Sequence, residues 1–345
     1  MRFVPPFCPN RKCMLNRARV EGFARRHGRY YSEALGRSIP RYRCRACRRT
    51  FSYSTFRFSY RQKKPHLDAA VMRILCSGVS LRGAARLLEV NHKTVPRKLE
   101  RLGRHSARLH EALMGRAGLR GEFQLDELET FEANRFQPVT VPVLIHKKSY
   151  FVVSTQTGAL RRKGRMTPRQ KQMRAEHEAA SGRRPTDSDA AVTRCLKTLQ
   201  QHAEGTVVLE SDRKASYHRI GVRLLGSRLV HRTHSSRIRR NRANPLFAIN
   251  HTNAMLRYCL ARLKRRTWCV SRRRSWLQCA LDMYAGWFNY CRGITIKTRV
   301  SPAQAIGLAA RKLRLPEWLS WRQDWDYPGA ILPNGIRYAT HGATH

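Results

Sequence analysis

The stretch Gln124-Leu125-Asp126-Glu127-Leu128-Glu129-Thr130-Phe131 decides how this chain is read. The protein carries 69 Lys and Arg against 22 Asp and Glu, yet three acids fall within four residues here. Leu125 precedes Asp126, Leu128 lies two further on, and the mostly apolar run Val139 to Ile145 follows. This pattern predicts the first strand of a sheet, with Asp126 on it or at its end. A carboxylate set in a basic groove suggests a divalent metal held against a nucleic-acid phosphate. The competing reading is a solvated strand face that happens to be acidic.

Working outward, the composition favours the first reading. The net charge of +47 opposes compaction unless a polyanion neutralises it, so DNA or RNA is the expected partner. No run approaches ~18 consecutive apolar residues, and no basic amphipathic helix has a clean apolar face, so no membrane partner is expected. The N-terminus lacks a signal-peptide apolar region. The ten cysteines are therefore expected in a reducing cytosol, as thiols or metal ligands.

Two of the cysteine spacings are informative. Cys8-Pro-Asn-Arg-Lys-Cys13 and Cys44-Arg-Ala-Cys47 are short-spaced pairs separated by 30 residues, the pattern of a four-thiolate structural zinc site. Zinc would replace the core that so short a segment cannot build. Arg43, Arg45 and Arg48, with Arg41 and Arg49, crowd the second pair and are expected on phosphate. Residues 66–104 then read as a helix-turn-helix. Leu67, Val71, Ile74 and Leu75 mark a first helix, and Ser80 caps a second. Val95, Leu99 and Leu102 line a third, with Arg97, Lys98 and Arg101 on its outer face. His92, Lys93 and Thr94 are the expected readers of base edges. Pro96 is tolerated only in the first turn, so the third helix starts late or kinks.

Strands resume at 121. After the basic insert 161–186 and a helix to about Ala203, the short strand Thr206 to Leu209 runs into Glu210-Ser211-Asp212. Asp212 is the second candidate carboxylate, or simply the cap of the helix Ala215 to Leu225. Two Asp on neighbouring strands suggest two-metal phosphoryl chemistry, with Mg²⁺ or Mn²⁺. Such sites usually take a third ligand from a later helix, but no Asp or Glu occurs from Arg213 to Leu281. The candidate helix begins at Asn244-Pro245. It offers Asn250, whose amide oxygen suits a hard cation, and the neighbouring His251, with Arg257 two turns along. An amide in place of a carboxylate removes a full negative charge.

Taken together, Cys8/Cys13 with Cys44/Cys47, the run Arg41 to Ser52, Asp126-Glu127, Ser211-Asp212 and Leu263-Lys264-Arg265-Arg266-Thr267 resemble the insertion-sequence transposases of the InsA–InsB type. That resemblance implies an α/β chain in four parts. Residues 1–55 are a zinc ribbon and 66–104 a helix-turn-helix. Residues 121–295 form a ribonuclease-H-like mixed sheet flanked by helices, and 296–345 a C-terminal helix and tail. It implies that Asp126 and Asp212 bind Mg²⁺, that Asn250 stands where the family has Glu, and that Arg257 holds the basic position seven residues on. The expected function is a DNA transposase that cleaves and joins DNA at terminal inverted repeats, acting as a homo-oligomer on double-stranded DNA in the nucleoid. The alternative is a catalytically inactive DNA-binding protein. A basic RNA-associated protein is a third class, disfavoured by the strand-borne Asp pair.

Overall fold

A computed structural model describes residues 3–16, 20–33, 36–115, 118–264, 268–295, 297–320 and 322. Arg265-Arg266-Thr267, part of the quoted resemblance, and the tail from residue 323 lie outside the described residues. The chain divides into two compact units. One comprises the residues up to Ala70 with those described from Arg314; the other is Val71–Leu313.

The first unit is a three-stranded antiparallel sheet: β1 (Ala24–Ser32), β2 (Arg37–Cys44) and β3 (Thr50–Ser52). Its strands are too short to bury much. The core is a small aromatic cluster of Phe7, Phe23, Tyr42, Phe51 and Phe56 that includes Cys8, Cys13 and Cys44. Trp318, in the helical turn Leu315–Trp318, is also buried, and Phe58 N–H donates to Ser320 O (3.4 Å).

Three helices follow, α1 (Asp68–Leu75), which begins just ahead of the division at Val71, then α2 (Leu81–Leu87) and α3 (Thr94–Met114) of the second unit. Ser80 Oγ accepts from Gly83 N–H (3.0 Å) and caps α2. Pro96 sits in the first turn of α3, where its missing N–H has no helical partner to lose, so α3 is not broken there. α3 runs ten residues beyond the predicted helix-turn-helix boundary and packs against α8 (Arg274–Gly286). Gly103 marks the crossing: a Cβ there would lie 2.4 Å from Cys279 O and 2.6 Å from its Cα.

The mixed sheet holds β4 (Glu122–Phe131), β5 (Pro138–His146), β6 (Val152–Thr155), β7 (Gly158–Ala159), β8 (Val207–Asp212) and β9 (Leu229–His234). Its order is β6-β5-β4-β8-β9. β4 and β5 are antiparallel, as are β5 and β6, whereas β8 runs parallel to both β4 and β9. β7 pairs with β5, so Gly158 belongs to a strand instead of merely ending the meander. The insert contains α4 (Pro168–Ser181), and α5 (Ser188–His202) and α6 (Ala215–Leu225) follow. α7 (Phe247–Cys259) starts later than Asn244-Pro245 predicts. Asn244 Oδ1 instead accepts from Leu246 N–H (2.8 Å) in a turn that leads into the helix. The helix that Ser301-Pro302 begins, α9, spans only Pro302–Ala305, and the short helix Leu315–Trp318 of the first unit follows it in the chain. The main core lies between one sheet face and α7 and α8: Leu128, Val141 and Val143 meet Ile249, Leu256, Leu281 and Tyr284.

Candidate functional site

Four thiols converge in the first unit. Cys8 and Cys47 Sγ lie 3.6 Å apart, Cys13 and Cys44 Sγ 3.9 Å, and all four sulfurs fall within 4.8 Å of one another. A tetrahedral zinc with Zn–S bonds of ~2.3 Å requires sulfurs ~3.8 Å apart, so the cluster fits a structural metal such as zinc. Burial raises the Cys8 and Cys13 thiols, which a bound cation would counter. Arg48, at the turn of the second pair, has φ 60°. Arg45 and Arg48 are exposed beside it, while Arg43 donates Nε–H to Arg48 O (3.1 Å).

The second site is built on the β4–β8 ladder, which pairs Gln124 with Glu210 and Leu125 with Ser211. Gln124 Nε2 donates to Glu210 Oε2 (2.7 Å), so paired residues share a face. The same amide donates to Pro245 O (2.7 Å), and its Oε1 accepts from Ile249 N–H (2.9 Å). That face is therefore the one α7 covers. Strand periodicity of two carries Asp126 and Asp212 onto it, next to each other at the end of the ladder. Burial raises the Asp126 carboxyl above the ordinary aspartate range, and the charge of Asp212 raises it further. Asp212 Oδ1 also accepts from Lys214 N–H (3.2 Å) in a local turn ahead of α6, but the N-cap of α6 is Lys214 and no side chain caps it, so Asp212 is not the cap.

α7 presents Asn253 to this pair. Asn253 Nδ2 donates to Asp126 Oδ2 (2.8 Å), and its carbonyl Oδ1 is buried with no hydrogen-bond partner. A buried amide oxygen lacking a donor, next to the Asp126 carboxylate whose charge Asp212 also feels, is an oxygen donor of the kind a hard cation takes. Asn250 lies one turn earlier and lines the same cleft of about 500 Å³ as Asp126, as do His251, Arg240 and Arg257. Burial lowers the His251 imidazole, whose ring packs 5.4 Å from Tyr150. Arg257 donates to Leu263 O and Glu129 O (both 3.1 Å), tying α7 to β4.

Glu127 points to the opposite face and cannot compensate for a missing acid. It accepts from Thr140 Oγ1 (2.8 Å), Ser188 Oγ (2.7 Å), Tyr217 OH (3.0 Å) and Lys214 Nζ. Among the expected readers of DNA, His92, Lys93 and Arg97 are exposed and Thr94 is partly so. Lys98 corrects the expectation: at 6% exposure it is buried and does not lie on an outer face of α3. The residue the sequence reading missed is Asn253. Asn250, Asn253 and Arg257 form one stripe at i, i+3 and i+7, and that spacing was the available signal. Arg240, whose charge reaches Asp126, was also missed; it lies in an arginine-rich loop with no periodicity.

Compared with models of known protein families and with curated proteins, the chain matches none. Among the described residues, no helix is long and apolar enough to cross a membrane.

Proposed function

We propose that the protein is a DNA transposase of ribonuclease-H-like fold, acting in the nucleoid on element ends brought together by more than one copy. The observation that carries this reading is the placing of Asp126 and Asp212 on adjacent parallel strands, with Asn253 of α7 hydrogen-bonded to Asp126. The strand order β6-β5-β4-β8-β9, with only the first three strands antiparallel, supports the fold assignment. Asp126, Asp212 and Asn253 Oδ1 would hold Mg²⁺ or Mn²⁺. Asn250 and His251 line the approach. When bound, such a metal lowers the pKa of an attacking water or 3′ hydroxyl and neutralises charge at the phosphodiester. Arg240 brings a positive charge to the cleft mouth, where a DNA phosphate would sit. Gln124 and Arg257 fix α7 against β4, which holds the Asn253 amide at Asp126. The zinc ribbon and the exposed His92, Lys93 and Arg97 supply duplex contacts.

A second reading, a DNA-binding protein without cleavage, is favoured by one observation: the cleft offers amides where a third carboxylate would be. One experiment separates the two. Nicking of DNA that flanks the coding sequence is measured with Mg²⁺ and with Mn²⁺ for the natural protein, Asp126→Ala, Asp212→Ala and Asn253→Ala. The transposase reading expects each Asp variant to lose roughly 100-fold or more in rate while DNA affinity stays within a few-fold. Equal inactivity of natural and Asp126→Ala protein, with tight DNA binding by both, supports the second.

A further inference from the structure

Trp268 is fully exposed, at 100%, which is unusual for the largest apolar side chain. It stands at the edge of a groove of about 590 Å³ in the second unit, between the start of the helix-turn-helix and the segment leading into α8. Trp276 lines the same groove, with Arg82, His92 and Arg272. Among the described residues that line it, none is acidic. Arg82, His92 and Arg272 are exposed, whereas Arg262 is buried and donates to Ser271 Oγ (2.7 Å) and Trp276 O (3.0 Å), bracing the segment behind Trp268.

We propose that this groove holds one unpaired nucleotide of a DNA strand, with its base on Trp268 and its phosphate between Arg82 and Arg272. Three features argue for that occupant. The charged residues of the lining are all basic, over a floor that is largely apolar (Leu75, Leu81, Leu99, Met283), so cations for a phosphate adjoin an apolar surface for a base. An exposed indole beside cations is the arrangement on which unpaired bases stack, without sequence preference. The volume is ample for one nucleotide but too confined for a base-paired duplex, about 20 Å across. His92 joins the groove to the turn that begins α3, so a nucleotide here would adjoin any duplex bound at that turn. The inference rests on the DNA-binding part of the proposed function, and is independent of cleavage.

The test uses fluorescence anisotropy with the full chain and two labelled probes of the same sequence. One is a fully paired 30-mer; the other has a three-nucleotide mismatched bubble. The natural protein should prefer the bubble. Trp268→Ala should lose about 10- to 100-fold on the bubble and less than two-fold on the paired duplex, and Trp268→Phe should recover most of the loss. Arg272→Ala should weaken the bubble more than the duplex. Because Trp268 is fully exposed, Trp268→Ala should fold, which circular dichroism checks. Equal losses on both probes, or none, overturn the groove while leaving duplex binding intact. Binding of neither probe by the natural protein overturns the groove and the DNA-binding reading together. An unlabelled single-stranded RNA of the bubble sequence that displaces the bubble probe at lower concentration than the matching DNA strand overturns the assignment to DNA.

Discussion

Asp126 and Glu127 are neighbours in sequence and opposites in role. Strand alternation turns Asp126 toward α7 and Glu127 toward α5 and α6, where Lys214, Ser188, Thr140 and Tyr217 close around it. Burial alone would raise the Glu127 carboxyl, but hydrogen bonds from Lys214 and Ser188 outweigh it and hold the group below the ordinary glutamate range. Lys214 also gives its backbone N–H to Asp212, so Glu127 anchors the turn that carries the second site carboxylate. Glu127→Ala is expected to destabilise the second unit by about 2 kcal/mol. That is less than a fully buried pair would cost, because Lys214 remains partly exposed. Urea unfolding checks this, and an unchanged midpoint would show the cluster to be dispensable.

At the scale of elements, α3 is the piece whose role changed most on folding. Its first turn meets the demands of a helix-turn-helix, but its long second half docks on α8 and the sheet. Gly103→Ala forces the α3–α8 crossing apart and should cost about 1–3 kcal/mol, read as a drop in melting temperature. His110 is the other anchor. It donates Nε2–H to Val153 O (3.1 Å), which leaves Nδ1 to accept from Tyr290 OH (3.0 Å). Burial lowers its pKa to about 4. The unfolded imidazole titrates near 6.5, so above that pH the group leaves stability unchanged. As pH falls from 6.5 toward 4, the unfolded state takes up a proton that the folded state refuses, and about 3 kcal/mol is lost. Melts from pH 7.5 to 4.5 should show this slope, and His110→Gln should flatten it.

At the scale of the whole molecule, the two units have different sources of stability. The second has a continuous apolar core under a mixed sheet, whereas the first has a few aromatic rings around four thiols. A metal held by the four thiols would supply stability that so small a core lacks. Treatment with a zinc chelator is expected to release one Zn²⁺ per chain and make the first unit protease-sensitive while the second survives. Mass spectrometry of the fragments reads this. A first unit that resists protease after metal loss would show that the aromatic cluster suffices.

Local patterns were enough to reveal the four-cysteine cluster and several of the elements. Cysteine spacing marked the thiolate site because each ligand pair lies within a few residues of one backbone turn. Alternation and caps marked β4, β5, α2 and the span Ala215 to Leu225, since those signals are local. The sequence did not show β9, a short partly exposed strand whose pairing depends on distant β8. Nor did it show that Lys98 is buried, because its neighbours there are brought up only by tertiary packing. The choice of Asn253 over Asn250 beside Asp126 was likewise settled by tertiary structure. Both lie on one helical stripe, and the rotation of α7 is set by Gln124, held 125 residues away in sequence at Ile249 N–H.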